Sequence, residues 1–488
     1  MPTFNDLWLV SPSLLLFFGA LVIMLAEAIV RPASKSGFSA IAMVVLFASA
    51  GLTASLYGSD PASAFGGMLR VDKFGLFSQL ICLIAGMLAV SFSNDYLERL
   101  GLRVGEYYAL VLFGVMGMGL MAQANDLIMV FVSLEVMSIS MYILCALKRA
   151  DPRSVEAGFK YFILGAFSSG LMLYGISFLY GGVGTTSLPG ISAYFMGPHA
   201  PGQEGVLVAI GGALLITGFG FKVASVPFHM WAPDVYQGAP ITVTSLMASG
   251  VKAASFAAFA RFVFGVVGAH VSGFTGVLWW MAALTMVVGN LGALAQRDLK
   301  RMLAYSSIAH AGYLLMALSA AAEGSARANP ALASLLYYLL AYTFMNAGAF
   351  IVLAAFTRDG ADNTDIDALA GLGKRKPWLA AGLSLCLLSM AGIPPTMGFV
   401  GKFYLFSAAI QSGNVGLAIV GALAAASGVY YYLRPMVYMY MKDGHAETES
   451  SPAAYAGLAV SGFALLAFGL IPGPMLAVAQ QSLQSLFG

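Results

Sequence analysis

Glu135, Lys222, Lys252 and Lys402 are charged side chains set inside stretches otherwise apolar enough to cross a bilayer. A charge at bilayer depth costs about 2.5–3.5 kcal/mol even on the mildest insertion scales, and such residues mark ion paths and proton relays. Three lysines and one acid in one chain point to a route along which charge moves, most economically protons. A lysine held between burial, which disfavours its charge, and a carboxylate, which favours it, can load and release a proton. If Glu135 contacts Lys222, withdrawing the carboxylate would make the lysine release. The plainer alternatives are a structural ion pair for Glu135 and a snorkelling stem for Lys222. Lys252, flanked by Ala, Ser and Gly in MASGVKAASF, lies too deep to snorkel easily. His310, in SSIAHAGYLL, could relay a proton or simply bond core hydroxyls; His229, after Pro227, could guide proton uptake or cap a helix end.

The elements that must hold these residues are membrane spans. The chain is 59% hydrophobic and 9% charged, against roughly 25% charged for a soluble domain. Hydropathy predicts an all-α polytopic membrane protein of about fourteen transmembrane helices. Spans 1–7 run over 9–30, 38–57, 73–93, 106–122, 126–147, 155–180 and 206–228. Spans 8–14 run over 241–267, 275–295, 302–320, 332–357, 378–411, 416–440 and 452–472. Span 12 is expected to be interrupted at Pro394-Pro395, and span 7 to be irregular near Pro227 and Pro233.

Lys and Arg cluster after the odd-numbered spans, as in Lys148, Arg149 and Arg153 after span 5 and Arg297, Lys300 and Arg301 after span 9. The alternate loops are read as carrying only Arg70, Lys73, Arg261 and Arg327. The positive-inside rule then puts the odd span ends in the cytoplasm and both termini outside. MPTFNDLW has no positive residue ahead of the first apolar run, so a cleaved signal peptide is not expected.

Other chemistries are disfavoured. The three cysteines, Cys82, Cys145 and Cys386, lie in different spans, and no Cys/His cluster suggests a metal or iron–sulfur site. The five histidines, including His199, His270 and His445, are scattered. No phosphate-binding glycine loop is present, and a net charge of +2 implies no nucleic-acid partner. No metal site or bound cofactor is expected in this chain.

A weak internal repeat pairs NDLIMVFVSLEVMSISMYILCAL (125–147) with RDLKRMLAYSSIAHAGYLLMALS (297–319). Each half later carries a Pro-interrupted span with a lysine, Lys222 and Lys402. Five spans separate the copies, so the second must be inverted, a transporter architecture.

FKVASVPFHMWAPDVYQGAPITVTSLMASGVKAASF and AGIPPTMGFVGKFYLF closely resemble the signature segments of the antiporter-like subunits of respiratory complex I. SLEVMSISMYILCAL and a lysine rather than a glutamate at 402 favour one branch of that family. The resemblance implies two inverted five-helix repeats with discontinuous helices. It divides the chain into a three-helix region (1–105), a first repeat (106–270), a second repeat (271–445) and a C-terminal helix (446–488). It implies that Glu135 and Lys222 form an acid–lysine pair, with Lys252 as central and Lys402 as terminal relay lysine. His229 and His310 match positions near the polar axis. It further implies NADH, FMN, iron–sulfur clusters and quinone in other subunits. The implied neighbours are other membrane-arm subunits, including a second antiporter-like subunit and a small three-helix subunit, with lipids. The implied location is the bacterial inner membrane. A multi-subunit cation/proton antiporter shares the signature, and a channel-less membrane scaffold is the remaining alternative.

Overall fold

The computed structural model describes residues 3–197, 204–267, 273–323, 325–484 and 486; His199, His270 and the side chain of Arg327 lie outside this set. Among the described residues, twelve helices are long and apolar enough to cross a membrane. They coincide with spans 1–3, 5–11, 13 and 14. Span 4 is also helical, as Glu106–Gln123. Span 12 is two helices, Pro377–Ala391 and Met397–Gln411, so the expected interruption is present. Span 7 runs as Glu204–Val223, breaks, and resumes as the short helix Ala232–Gly238.

Aspartates set several helix starts. Asp72, Asp126, Asp151 and Asp298 accept from Gly75 N (2.8 Å), Ile128 N (2.8 Å), Arg153 N (3.0 Å) and Arg301 N (2.8 Å). Each satisfies an N–H that has no partner within its own helix. Glycines let helices approach closely. A Cβ on Gly175 of span 6 would meet Gly211 O at 2.8 Å, and one on Gly211 of span 7 would meet Gly175 O at 2.9 Å.

The helices that carry the charges are the most enclosed. Every residue from Ile241 to Val263 in span 8 and from Ala331 to Ala354 in span 11 is buried. In span 10 only Arg301 and Tyr305 are partly exposed. Around this core the outer spans turn large apolar side chains outward: Phe18, Phe47, Phe167, Leu291, Leu423 and Phe463.

One clasp is built twice. Asp126 bridges Ser187 and takes a bond from Thr186 Oγ1 (2.7 Å), while Leu127 N donates to Thr186 O (2.9 Å). Asp298 likewise bridges Asp365 and takes a bond from Thr364 Oγ1 (2.5 Å), while Leu299 N donates to Thr364 O (2.7 Å). The first clasp starts span 5 and the second starts span 10, five crossings later and therefore at the opposite face.

Two expectations are corrected. Arg261 is not a loop residue: it lies within span 8 and is buried, paired with Asp72. The C-terminal stretch holds two helices, Pro452–Leu470 and Gly473–Gln484, because Ile471 and Pro472 stop the first one.

Candidate functional site

Both broken helices end in the same way. Ser225 N reaches back to Gly220 O (2.8 Å) around Ala224, at φ +58°; Ile393 N reaches back to Leu388 O (3.0 Å) around Gly392, at φ +84°. These are left-handed C-caps, which satisfy carbonyls that would otherwise be stranded in an apolar medium. At the first break, Trp231 Nε1 donates to Phe221 O (3.0 Å) and Val226 N donates to Thr285 Oγ1 (2.9 Å), so side chains take up more of the freed backbone.

Lys222 precedes the first cap by two residues and is buried. Its ammonium donates to Ser138 Oγ (2.6 Å) and to Tyr142 OH (3.5 Å), and lies 5.4 Å from the ring centres of both Tyr142 and Tyr161. Aromatic faces and hydroxyls thus replace water around the cation. Glu135 makes no ion pair with it among the described residues. The carboxylate lies three residues before Ser138 on the same face of span 5, and its Oε1 is buried without a hydrogen-bond partner. Glu135 therefore stands one turn from Ser138, which accepts from the lysine and donates its own hydroxyl to Leu134 O.

Lys252 follows a π-helical turn, Met247–Val251, inside span 8. Such turns are frequent at functional positions because the extra residue redirects the side chains that follow. Lys252 donates to Ser307 Oγ (2.6 Å) and to the Ser307 carbonyl, and lies 5.6 Å from the Tyr342 ring centre.

His310 lies on span 10, one turn beyond Ser307. Its Nδ1 is 2.5 Å from Tyr338 OH and its Nε2 2.9 Å from Tyr432 OH, which in turn bonds Ser306 Oγ at 2.5 Å. The histidine is thus bonded to core hydroxyls, and those same bonds give it a donor on one side and an acceptor on the other. Ser306, His310 and Tyr313 fall at helical spacing along span 10.

Lys402 lies beyond the second break, and its ammonium reaches back across it to Met390 O (2.7 Å) and Ala391 O (3.3 Å). It also sits 5.0 Å from the Tyr313 ring centre. Aligning the two left-handed caps sets Lys222 against Met390. The two lysines therefore attach on opposite sides of their breaks, Lys222 before the first cap and Lys402 after the second, with the Lys402 ammonium back at the residue that aligns with Lys222.

Between the Lys222 and Lys252 clusters stands an aromatic row. Tyr161 stacks on Trp231 at 4.5 Å, and Trp231 meets Tyr236 edge-on at 6.1 Å. Tyr236 in turn faces Ser307. His229 lies in the first break, partly buried, with Nδ1 unpartnered, and contacts neither lysine by a hydrogen bond.

Sequence reading also missed the buried charge of Arg261. Arg261 donates to Asp72 through Nη2 (2.5 Å) and Nη1 (2.9 Å) and to Ala122 O through Nε (2.9 Å), with its guanidinium 5.0 Å from the Phe74 ring centre. The apolar run of span 8 continues to residue 267, and that run was the signal that Arg261 lies within the membrane.

Residues 124–427 match the family of NADH:quinone oxidoreductase/Mrp antiporter transmembrane proteins, and the chain belongs to that family. Its relatives narrow the branch. The chain is 42% identical over 483 residues to the NADH-quinone oxidoreductase subunit N of Trichlorobacter lovleyi, covering 98% of this chain and 97% of that one. Among solved structures, a chain of respiratory complex I from Thermus thermophilus with bound aureothin superposes with a TM-score of 0.80 at 33% identity, covering 96% of this chain and 98% of that chain. A chain of the Mrp complex from Dietzia sp. DQ12-45-1b superposes with a TM-score of 0.82 at 19% identity over the whole of both chains, a likeness of fold alone.

Proposed function

We infer that this chain is the subunit-N-type proton-translocating membrane subunit of an NADH:quinone oxidoreductase, a multi-pass protein of the inner membrane. The observation that carries the reading is the row of buried cations: Lys222 on Ser138, Lys252 on Ser307, and Lys402 on the carbonyl end of Pro377–Ala391 in the second broken helix. Redox chemistry belongs to other subunits of the assembly, where NADH, FMN, iron–sulfur clusters and quinone act. The chain's direct neighbours are other membrane-arm subunits, among them a second antiporter-like subunit and a small three-helix subunit.

Protons enter from the face bearing the basic loops, which is the cytoplasmic one, beside the first break and His229. They pass Lys222, Lys252 and His310 and leave by way of Lys402 to the outside, where both termini lie. Residues 106–270 and 271–445 act as inverted repeats; the twice-built clasp at Asp126 and Asp298 and the twice-built helix cap support that division. Glu135 sets the gate. Its approach to Ser138 and Lys222 holds the proton on the lysine, and its withdrawal or protonation releases it. The antiporter alternative shares the family but is less favoured, because the relatives of about 40% identity are NADH-quinone oxidoreductase subunits, whereas the Mrp likeness is at 19% identity.

The test is Lys222→Ala in the assembled complex. Pumped protons per electron and coupled oxidase activity should fall several-fold while the complex still assembles. Unchanged stoichiometry would remove Lys222 from the relay, and loss of assembly alone would favour a scaffold.

A further inference from the structure

A fourth buried lysine stands at the same face as the basic loops and is not used by the route above. Lys300, placed by the sequence among the basic residues after span 9, lies in the first turn of span 10 and is 2% exposed. Its ammonium donates to Ala239 O (2.6 Å), just past the short helix Ala232–Gly238, and stands 3.6 Å from Asp362 Oδ2. The Asp362 side chain is 13% exposed, so this carboxylate joins the buried lysine to the aqueous side. Asp362 also accepts from Tyr96 OH (3.1 Å) and from Thr357 Oγ1 (2.8 Å), and Tyr96 OH takes a bond from Ile241 N (2.7 Å) at the start of span 8. The other charged groups facing Lys300 are Asp298 and Lys148.

The placement along span 10 connects this cluster to the relay. Lys300 and Ser307 are seven residues apart, two helical turns, on one face and about 10 Å apart along the axis. Ser307 is the residue that holds Lys252. Tyr236, on the short helix whose end Lys300 grips, faces Ser307 as well. An aromatic row separates Lys222 from Lys252, whereas Lys300 stands on the very helix that presents Ser307.

We propose that Lys300 and Asp362 form a proton-loading pair that supplies Lys252 from the basic face, independently of Lys222. A proton taken up by the Asp362 carboxylate passes to the Lys300 amine. Lys300 then yields a proton toward Tyr236 and Ser307, and each hydroxyl gives up one proton as it gains another, so that the Lys252 amine becomes the ammonium. Only O–H and N–H bonds change, and every group returns to its starting state once Lys252 passes its proton on. This inference rests on the proposed relay, and adds a second inlet to it.

The deciding variant is Lys300→Arg in the assembled complex. Arginine keeps the cation and can still donate to Ala239 O, but it does not release its proton in a protein. A purely structural Lys300 would be rescued by arginine; a loading lysine would not. Pumped protons per electron should therefore fall at least twofold with assembly intact, and a normal ratio would overturn the proposal. If Lys300→Arg fails to assemble, Asp362→Asn, isosteric and partly exposed, decides by the same ratio in the same direction. Lys222→Ala measured in parallel separates the two readings: a fall there with a normal Lys300→Arg overturns only the second inlet, and normal ratios in both overturn the relay as well.

Discussion

Lys222 and Lys402 stand beside matching helix caps, but their ammonium groups go to opposite kinds of partner. Lys222 is held by side chains, Ser138 and Tyr142, on a helix that also carries Glu135, whose Oε1 is buried without a hydrogen-bond partner. Lys402 is held by the backbone, at the carbonyl end of Pro377–Ala391, where a helix attracts positive charge in any case. The first lysine can be controlled, because rotation of one serine or movement of one acid changes its surroundings. The second is fixed to a helix end, and its surroundings change only if the broken helix itself moves. A controlled holder on one side and a fixed holder on the other is an arrangement suited to a directed transfer.

The comparison can be broken most directly at Ser138. Ser138→Ala removes a 2.6 Å bond to a buried cation, an interaction worth about 1.5–3 kcal/mol. The purified complex should melt at lower temperature and pump less, and an unchanged melt and ratio would mean that Ser138 does not hold Lys222. The second half lacks an equivalent side chain, so it must be tested through its cap. Gly392→Ala forces a Cβ into a left-handed position at φ +84°, 3.0 Å from Lys402 Cδ, at a cost of about 1–2 kcal/mol. Lower thermal stability together with weaker pumping is expected; lost stability with a normal ratio would detach the cap from the work of Lys402. The smallest effect belongs to Ala224→Gly, in the matching cap at φ +58°. Relief of left-handed strain and the added freedom of the unfolded glycine nearly cancel, leaving a change within about 0.5 kcal/mol. A larger loss in the melt would show that the Ala224 methyl supports the first break, and the two caps would no longer be equivalent.

Much of this arrangement is legible in the sequence, because a bilayer imposes long apolar runs and makes every charge inside them conspicuous. The helix positions, the interruption at Pro394-Pro395 and the burial of Lys222, Lys252 and Lys402 follow from that constraint. What escapes is whatever depends on which helix faces which. No spacing says that Ser138 bonds Lys222, or that Lys402 reaches backward over its own break. Lys300 and Arg261 escape for a related reason. Each lies near the end of a span, where a basic residue ordinarily meets water, and only the folded chain shows that loops and neighbouring helices close over it. The π-helical turn before Lys252 has no sequence signal at all, since its MASGV is as compatible with a regular helix.

The enclosure of span 8 from Ile241 to Val263 bears on how the protein is made. Lys252 meets Ser307 only after span 10 has been synthesised, whereas Asp72, the partner of Arg261, is already in place when span 8 emerges. During translation the far end of span 8 can therefore be tethered at once to an earlier helix, while its central lysine waits without a partner for the next segments of the chain. The arginine clamp gives the nascent protein a means of retaining one of its least apolar spans through that interval.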